Sequence, residues 1–167
     1  MIRFCKRCIM PNTRPRIVFN KEGICNACLH SEKKENINWN EREKDFLKLV
    51  DNMKKTKNKN SLYDCVVPWS GGKDSTSIAI KLKHKYGLNP LLVTFSPLIV
   101  NECGEFNRNE LIKLGFDSIF INPNKEVARK LSKRFFIERG NPKVAWDAGV
   151  NAGPIQIASS AICTCNE

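Results

Sequence analysis

The stretch Val-Val-Pro-Trp-Ser-Gly-Gly-Lys-Asp-Ser, residues 66–75, decides the fold, because a short apolar run stops abruptly at two glycines and a group of polar residues. Gly71 and Gly72 carry no side chains, so the backbone can turn tightly and bring its N–H groups close to an anion. The helix expected to follow directs its positive N-terminus at the same place, and Lys73 adds a full charge. The stretch predicts a buried strand, a phosphate-binding loop and a helix. The alternative is an N-capped turn whose polar residues merely start a helix.

Two common glycine motifs do not describe this loop. A Walker A loop needs the spacing GxxxxGK[ST], which is missing here. A nucleophile elbow needs GxSxG, and Pro68 stands where its first glycine would be. The phosphate-binding hypothesis therefore concerns a different class of nucleotide loop.

The chain from residue 62 onward alternates between strand and helix patterns. The predicted strands are 63–69, 91–95 and 118–121. The predicted helices are 74–86, 105–114, 126–137 and 152–161, with a loop-like segment at 141–149. This βαβαβα order predicts a parallel sheet with helices on its faces. A doubly wound domain has five or six strands, so we expect this one to be incomplete at its C-terminus.

Composition divides the chain into three predicted regions. Residues 1–30 hold four cysteines among Pro, Asn and Gly and are read as a loop-rich zinc knuckle. Residues 31–61 are rich in Lys, Glu and Asn, with one apolar helical face, and predict a connecting helix and a linker that begins at the polar run 54–60. Residues 62–167 form the predicted α/β domain, which contains the phosphate-binding loop.

Cysteine spacing predicts a metal site. Cys5 and Cys8 form one CxxC pair, Cys25 and Cys28 form another, and sixteen residues separate the pairs. Two such turns supply a closed thiolate tetrahedron, which indicates structural zinc without an open catalytic position. An iron–sulfur cluster and four incidental cysteines are the alternatives.

Charge and hydropathy limit the classes of partner. The 167 residues carry a net charge of +11, which favours anionic partners such as nucleotides, RNA, anionic sugars or a membrane surface without identifying one. No apolar run is long enough to span a membrane, and the N-terminus lacks the apolar stretch of a secretory signal. We therefore expect a cytoplasmic protein with reduced thiols.

Residues 70–75 resemble the SGGxDS loop of the PP-loop ATP pyrophosphatases. The resemblance implies a Rossmann-like parallel sheet of the adenine nucleotide alpha hydrolase-like type, with ATP and magnesium as ligands. It implies that the loop holds the pyrophosphate end of ATP and that the end of the second strand holds adenine. The nucleotide-binding residues implied are Ser70, Gly71, Gly72, Lys73, Asp74, Ser75, Thr94, Phe95 and Ser96. Lys73 fills the variable position of the motif.

A narrower resemblance covers almost the whole chain. The CxRC start, Gly-Ile-Cys-Asn-Ala-Cys at 23–28, the stretch 63–75, and Leu-Leu-Val-Thr-Phe-Ser-Pro at 91–97 are similar to the N-acetyl sugar amidotransferases. The segment from Ile121, Trp146 and Gly153-Pro154 are also similar. These enzymes convert an acetamido group to an acetamidino group on sugars of O-antigen or flagellar glycans, including the pseudaminic acid pathway.

The resemblance implies a reaction in two steps. The amide oxygen of the acetamido group attacks the α-phosphate of ATP, and ammonia then displaces AMP. Lys73 and Asp74 are the implied catalytic residues, with Asp74 on magnesium. No cysteine–histidine pair is evident and the chain has only two histidines, so nothing in it resembles a glutaminase. The family resemblance implies that ammonia comes from a separate glutaminase subunit.

Two other functions remain open. A tRNA-thiolating enzyme shares the PP-loop and would suit the positive charge, but the pair Cys163 and Cys165 is one residue closer than CxxC. A noncatalytic fragment with a zinc knuckle is the other alternative. Members of the resembled family continue well past this length, so we expect reduced or absent activity for this chain alone.

Overall fold

The computed structural model describes residues 1–57 and 60–162. They fall into two units, Met1–Phe46 and a second that begins at Leu47. Cys163 and Cys165, whose role the sequence left open, lie outside the described residues.

The first unit is built around two isolated antiparallel bridges, Phe4↔Pro11 and Phe19↔Cys25. Helix α1, Asn26–Glu35, begins immediately after the second bridge. The range 1–30, predicted as loop-rich, therefore ends in helix, and Cys28 lies in the first turn of α1. Helix α2, Trp39–Thr56, follows, so the helix continues past the point where the polar run predicted a linker.

The second unit contains a parallel sheet of three strands. They are β1, Cys65–Pro68; β2, Pro90–Phe95; and β3, Ser118–Ile121. The order is β1-β2-β3, with both pairs parallel. The predicted parallel α/β arrangement is confirmed for this three-stranded sheet, with β1 shorter at both ends than the predicted strand.

Four helices accompany the sheet. They are α3, Lys73–Ile80, continued by a π-helical turn over Lys81–Lys85; α4, Glu102–Lys113; α5, Lys125–Arg139; and α6, Val144–Ala161. The helix predicted over 74–86 is thus α-helical only in its first part. A π-turn inserts one extra residue per turn. Here it precedes Leu88, which is buried.

The hydrophobic core lies between one sheet face and helices α3 and α4. Its sheet side consists of alternate residues of the strands, because successive side chains point to opposite faces. The buried cluster is Val67, Trp69, Ala79, Leu92, Leu111 and Phe116. This core fixes α3 directly behind the end of β1.

The opposite face of the sheet is covered by α6. A Cβ atom built on Gly149 would lie 2.3 Å from Cζ of Phe95, and one on Gly153 would lie 2.7 Å from Cδ1 of Ile121. Both distances are below van der Waals contact, so the two glycines let the helix backbone approach the strands closely. Their spacing of four residues places them on one face of α6.

The loop predicted at 141–149 is wrong from Val144 onward, where α6 begins. Local propensity pointed to a loop, since Asn141, Pro142 and Gly149 all disfavour helix. Pro154 lies inside the same helix and is buried. Burial of α6 against the sheet outweighs these local costs, as tertiary packing often does.

In the part of the chain that the structure describes, every helix is too short or too polar to cross a bilayer.

Candidate functional site

The four predicted metal ligands converge in the first unit. The sulfur atoms of Cys5, Cys8, Cys25 and Cys28 all lie within 4.8 Å of one another. The Cys8 and Cys25 sulfurs are 3.6 Å apart. Tetrahedral zinc with Zn–S bonds of about 2.3 Å separates its sulfurs by about 3.8 Å. The donor set and its spacing therefore fit a four-thiolate metal ion such as zinc.

Backbone N–H groups surround the first of these sulfurs. The N–H groups of Arg7, Cys8 and Cys25 donate to Cys5 Sγ at 3.4, 3.5 and 3.2 Å. Hydrogen bonds from N–H groups, the one from Cys8 foremost, stabilise the thiolate and lower the pKa of Cys5 to about 6, against an opposing effect of burial. Cys5 is thus prepared as an anionic ligand.

The pKa of Cys28, the fourth cysteine of the set, is shifted in the opposite direction from that of Cys5. The pKa of Cys28 is raised to about 12, first because its thiol donates to the Cys8 sulfur and then because of burial and the sulfurs of Cys25 and Cys5. Several thiolates this close repel one another unless a cation lies between them. A bound metal would remove this repulsion and displace the proton from Cys28.

The predicted phosphate-binding loop lies where β1 ends. Gly71 is buried and has φ of +80°, a left-handed conformation that favours glycine. Gly72 occupies the N-cap position of α3 with φ of −81°. The Gly72 N–H faces the Ser70 hydroxyl oxygen at 3.4 Å, and the Ser75 hydroxyl donates to Gly72 O at 3.2 Å. The loop therefore turns tightly into the helix, as the sequence predicts.

The N-terminus of α3 has no side-chain cap. By contrast, Asn101 caps α4 by accepting from Gly104 N–H, and Asn124 caps α5 by accepting from two N–H groups. The first N–H groups of a helix have no partner within the helix and form a local positive pole. In α3 this pole remains available to an anion.

The two predicted catalytic side chains occupy the first turn of α3. Lys73 and Asp74 are both exposed, and no described residue forms an ion pair with either of them. An ammonium group and a carboxylate are thus present beside the uncapped helix end. The Asp74 oxygens are of the hard type that magnesium prefers, and magnesium is commonly bound by one or two carboxylates together with substrate phosphates.

A hydrogen-bonded frame holds the two ends of the loop. The Trp69 indole N–H donates to Thr76 Oγ1 at 3.0 Å, which joins the end of β1 to α3. The Thr94 hydroxyl donates to the Trp69 carbonyl oxygen at 2.5 Å, which joins it to β2. Thr94, which the resemblance places at adenine, is therefore buried with its hydroxyl committed to the protein backbone.

The remaining two residues expected at adenine differ in exposure. Phe95 is half-buried and lines a cleft at the carboxyl ends of β1 and β2. Ser96 is buried, and its hydroxyl has no hydrogen-bond partner among the described residues. Only Phe95 and Thr94 of this group contribute to the cleft wall.

The cleft has a volume of about 610 Å³, and of the SGGKDS loop it is Ser70, the first residue, that lines it. Its walls come from the ends of β1 and β2, the segment leading into α4, and α6. Its lining residues are Pro68, Trp69, Ser70, Val93, Thr94, Phe95, Pro97, Ile99, Val100, Asn101, Gly104, Arg108, Trp146, Val150 and Pro154. Ligands of open α/β sheets bind in this position, at the carboxyl ends of the strands.

Helix α4 contributes residues that the sequence analysis did not single out. Asn107 Nδ2 donates to Gly71 O at 3.2 Å, and Arg108 lines the cleft with its guanidinium carbon 4.9 Å from the Phe120 ring centre. The order of elements could have indicated these residues. Because β1 and β2 are parallel, α4, which follows β2, begins at the same edge of the sheet as the SGGKDS loop, which follows β1. Helical spacing then places Gly104 and Arg108 on one face.

Comparison with known proteins gives little further information. No family model matches the chain. It is similar to an uncharacterized protein of Methanocaldococcus jannaschii, with 36% identity over 91 residues. The match covers 53% of this chain and 31% of that relative, so the chain spans about a third of the relative's length.

Proposed function

We propose that this chain is an ATP-dependent N-acetyl sugar amidotransferase of the PP-loop ATP pyrophosphatase class. One observation carries the proposal: the SGGKDS loop ends β1 at the mouth of a cleft, and the helix that follows it has an uncapped N-terminus. A tight glycine turn, free helix N–H groups and a lysine are together suited to the phosphates of a nucleotide.

The cleft has space for the rest of the nucleotide. Its volume of about 610 Å³ is within the range of small-molecule sites, roughly 300–1,000 Å³. The wall beyond the loop is mainly apolar, with Phe95 and Val93 from β2 and Trp146 from α6. A purine ring would find apolar contacts there while the phosphates lie at the loop.

Magnesium fits the same end of the site. Asp74 would hold the ion together with the phosphates, and the bound ion would supply neutralisation of the charge that develops on the departing pyrophosphate. Lys73 and the first N–H groups of α3 would act on that charge as well, as fixed electrostatic groups.

The proposed reaction has two steps. The oxygen of the sugar acetamido group attacks the α-phosphorus of ATP, the bond to the β-phosphate oxygen breaks, and pyrophosphate leaves with an O-adenylyl imidate on the sugar. Ammonia then attacks the imidate carbon, the C–O bond breaks, and AMP leaves with that electron pair. Loss of a proton gives the acetamidino group. Adenylation is needed because an amide is a poor electrophile.

The other proposed partners follow from this reaction. Ammonia would reach the chain from a separate glutaminase subunit, and the product would enter an O-antigen or flagellar glycan. Zinc on the four cysteines would cross-link the first unit without taking part in the chemistry. The cytoplasm would supply ATP and keep the thiols reduced.

Thermal unfolding with and without Mg-ATP tests the proposal, because a ligand that binds the native state raises its stability. We expect Mg-ATP to raise the unfolding temperature of the unchanged chain and not that of Asp74→Ala. Asp51→Ala, which removes an exposed aspartate from α2, is the matched control and should keep the shift. A folded chain that shows no shift with Mg-ATP contradicts the proposed nucleotide site.

The net charge of +11 supports tRNA thiolation as a second candidate. The two candidates are separated by titrating the Mg-ATP-competent chain with tRNA over a range of salt concentrations. Tight, salt-sensitive binding favours tRNA, whereas pyrophosphate release that depends on an N-acetylated sugar favours the amidotransferase.

A further inference from the structure

A hydrogen bond crosses from α4 to the phosphate-binding loop. Asn107 Nδ2 donates to Gly71 O at 3.2 Å, although the two residues are 36 positions apart in the chain. A Cβ atom built on Gly71 would lie 3.9 Å from both Asn107 Cβ and Gly104 O, so α4 is in close contact with the loop backbone. Helix α4 is therefore the direct neighbour of the glycine turn.

The carbonyl of Gly71 and the N–H of Gly72 belong to the same peptide unit. A trans peptide is planar and directs these two groups to opposite sides. A donor that holds the Gly71 carbonyl against α4 therefore turns the Gly72 N–H away from α4. In the structure that N–H faces the Ser70 oxygen at 3.4 Å, a long contact for a hydrogen bond.

The loop needs such a constraint because its glycines have wide conformational freedom. Gly71 already has φ of +80°, and rotation of the Gly71–Gly72 peptide would turn the Gly72 N–H away and present a carbonyl oxygen in its place. A carbonyl oxygen repels phosphate. The orientation of this one peptide thus decides whether it presents an N–H donor or a carbonyl oxygen to a phosphate.

The helix that carries Asn107 is itself fixed at its start. Asn101 Oδ1 accepts from Gly104 N–H at 2.8 Å, and Glu105 N–H donates to the Asn101 carbonyl oxygen at 3.1 Å. A Cβ atom on Gly104 would lie 3.1 Å from Asn101 Oδ1, a tight contact, so the capping side chain packs closely on the Gly104 backbone. Asn107 therefore lies in the second turn of a helix whose first turn is capped.

We infer that Asn107 is a positioning residue, which holds the Gly71–Gly72 peptide in the orientation that binds the phosphate end of the nucleotide. The inference rests on the proposed function, because that function supplies the phosphate ligand. Asn107 itself acts through the peptide and does not contact the reacting atoms.

Three variants of the full chain test this role. Asn107→Leu removes the donor and keeps a side chain of similar size, and Asn107→Gln keeps an amide. Asn109→Leu is the matched control, because it makes the same change on α4 at an exposed residue whose side chain has no hydrogen-bond partner among the described residues.

Binding of two partial ligands by calorimetry provides the first measurement. With magnesium present, we expect Asn107→Leu to bind inorganic pyrophosphate roughly five to ten times more weakly, the effect of one hydrogen bond, and to bind adenosine as the unchanged chain does. Asn107→Gln should recover part of the loss, and Asn109→Leu should show none. Unchanged pyrophosphate binding by Asn107→Leu, or equal losses for both ligands, would overturn the inference.

The amide resonance of Gly72 provides a second measurement that needs no ligand. Its chemical shift should change in Asn107→Leu and should be the same in Asn109→Leu as in the unchanged chain. If the unchanged chain binds neither Mg-ATP nor pyrophosphate, the proposed function fails, and this resonance alone decides the inference. A Gly72 resonance that stays in place in Asn107→Leu then overturns the positioning role as well.

Discussion

Asp64 and Asn89 form two reciprocal hydrogen bonds at the point where β1 and β2 begin. The Asp64 N–H donates to the Asn89 carbonyl oxygen at 2.9 Å, and the Asn89 N–H donates to Asp64 Oδ2 at 2.6 Å. Lys57 Nζ donates to the other carboxylate oxygen, Oδ1, at 2.7 Å. The first paired residues of the two strands, Cys65 and Pro90, follow directly. This reciprocal contact lies next to the first paired residues of the two strands and so supports the register on which the position of the SGGKDS loop depends.

The Asp64 carboxylate should make stability depend on acidity. Burial raises the pKa of Asp64, but the hydrogen bond from Lys57, the Asn89 N–H and the charges of Lys57 and Lys54 outweigh it, so the pKa lies below its ordinary value of 3.8. For a lowered folded pKa, the stabilisation is fully present above the unfolded pKa and is lost as pH falls through the folded pKa. We therefore expect this contribution to disappear below about pH 4.

Asp64→Asn tests this expectation. It should lower the free energy of unfolding at pH 7 by about 1–2 kcal/mol, since hydrogen bonds to a charged group are replaced by neutral ones. The difference between the two chains should shrink as pH falls below 4. Urea unfolding at several pH values measures it, and a difference that stays constant down to pH 2 would contradict the role of Asp64.

The cysteine cluster should bind one zinc ion per chain with an affinity that rises with pH. Zinc needs four thiolates, and the pKa of Cys28, raised to about 12, means that its proton must be displaced at neutral pH. Zinc competition with a chromogenic chelator between pH 6 and 8 measures this dependence. Cys28→Ser should weaken binding at least tenfold, and Cys103→Ser, at an exposed cysteine, should leave it unchanged. A brown protein with iron and sulfide would support the cluster alternative instead.

Gly149→Ala should destabilise the second unit. Its new Cβ atom would lie 2.3 Å from the Phe95 ring, so either the ring or α6 must move, and overpacking of this kind costs about 1–3 kcal/mol. Gln156→Ala, at an exposed position of the same helix, should be close to neutral. Thermal unfolding of both variants provides the comparison, and equal unfolding temperatures would show that α6 does not pack against Phe95 through Gly149.

Arg108→Gln should weaken Mg-ATP binding about tenfold and lower the unfolding temperature of the free chain only slightly, through loss of its contact with the Phe120 ring. Arg108 lines the cleft, and no described carboxylate neutralises it, so its charge is available to a nucleotide phosphate. Arg129→Gln removes the same charge from an exposed position of α5. The loss for Arg108→Gln should diminish as salt is raised. Equal affinities of the two variants would exclude a direct role for Arg108.

The sequence predicted those features that depend on neighbouring residues. Strand and helix periodicity gave the βαβ order, and the two CxxC pairs gave the cysteine cluster, because spacing along the chain largely determines both. The tight turn after β1 was recognisable from Gly71 and Gly72, since the φ of +80° at Gly71 is a left-handed conformation that favours glycine.

Features that depend on distant parts of the chain were missed. Helix α6 contains Gly149 and Pro154, which locally disfavour helix, and only packing on the sheet stabilises it there. The contact of Asn107 with Gly71 depends on the angle at which α4 meets the loop, and no local pattern reports that angle. The bond from the Thr94 hydroxyl to the Trp69 carbonyl oxygen joins residues 25 positions apart, and no local pattern predicts it.

The bonds from Trp69 to Thr76 and from Thr94 to Trp69 have an entropic consequence. They fix Trp69 and Thr76, on either side of the SGGKDS loop, before any ligand binds. The backbone freedom that remains lies mainly in the two glycines, and Asn107 restricts it further through the Gly71 carbonyl. Ordering one residue costs roughly 1–2 kcal/mol. A nucleotide that orders two residues rather than six therefore loses several kcal/mol less of its binding free energy, and Thr76→Val should reduce affinity through added disorder, without removing any contact to the ligand.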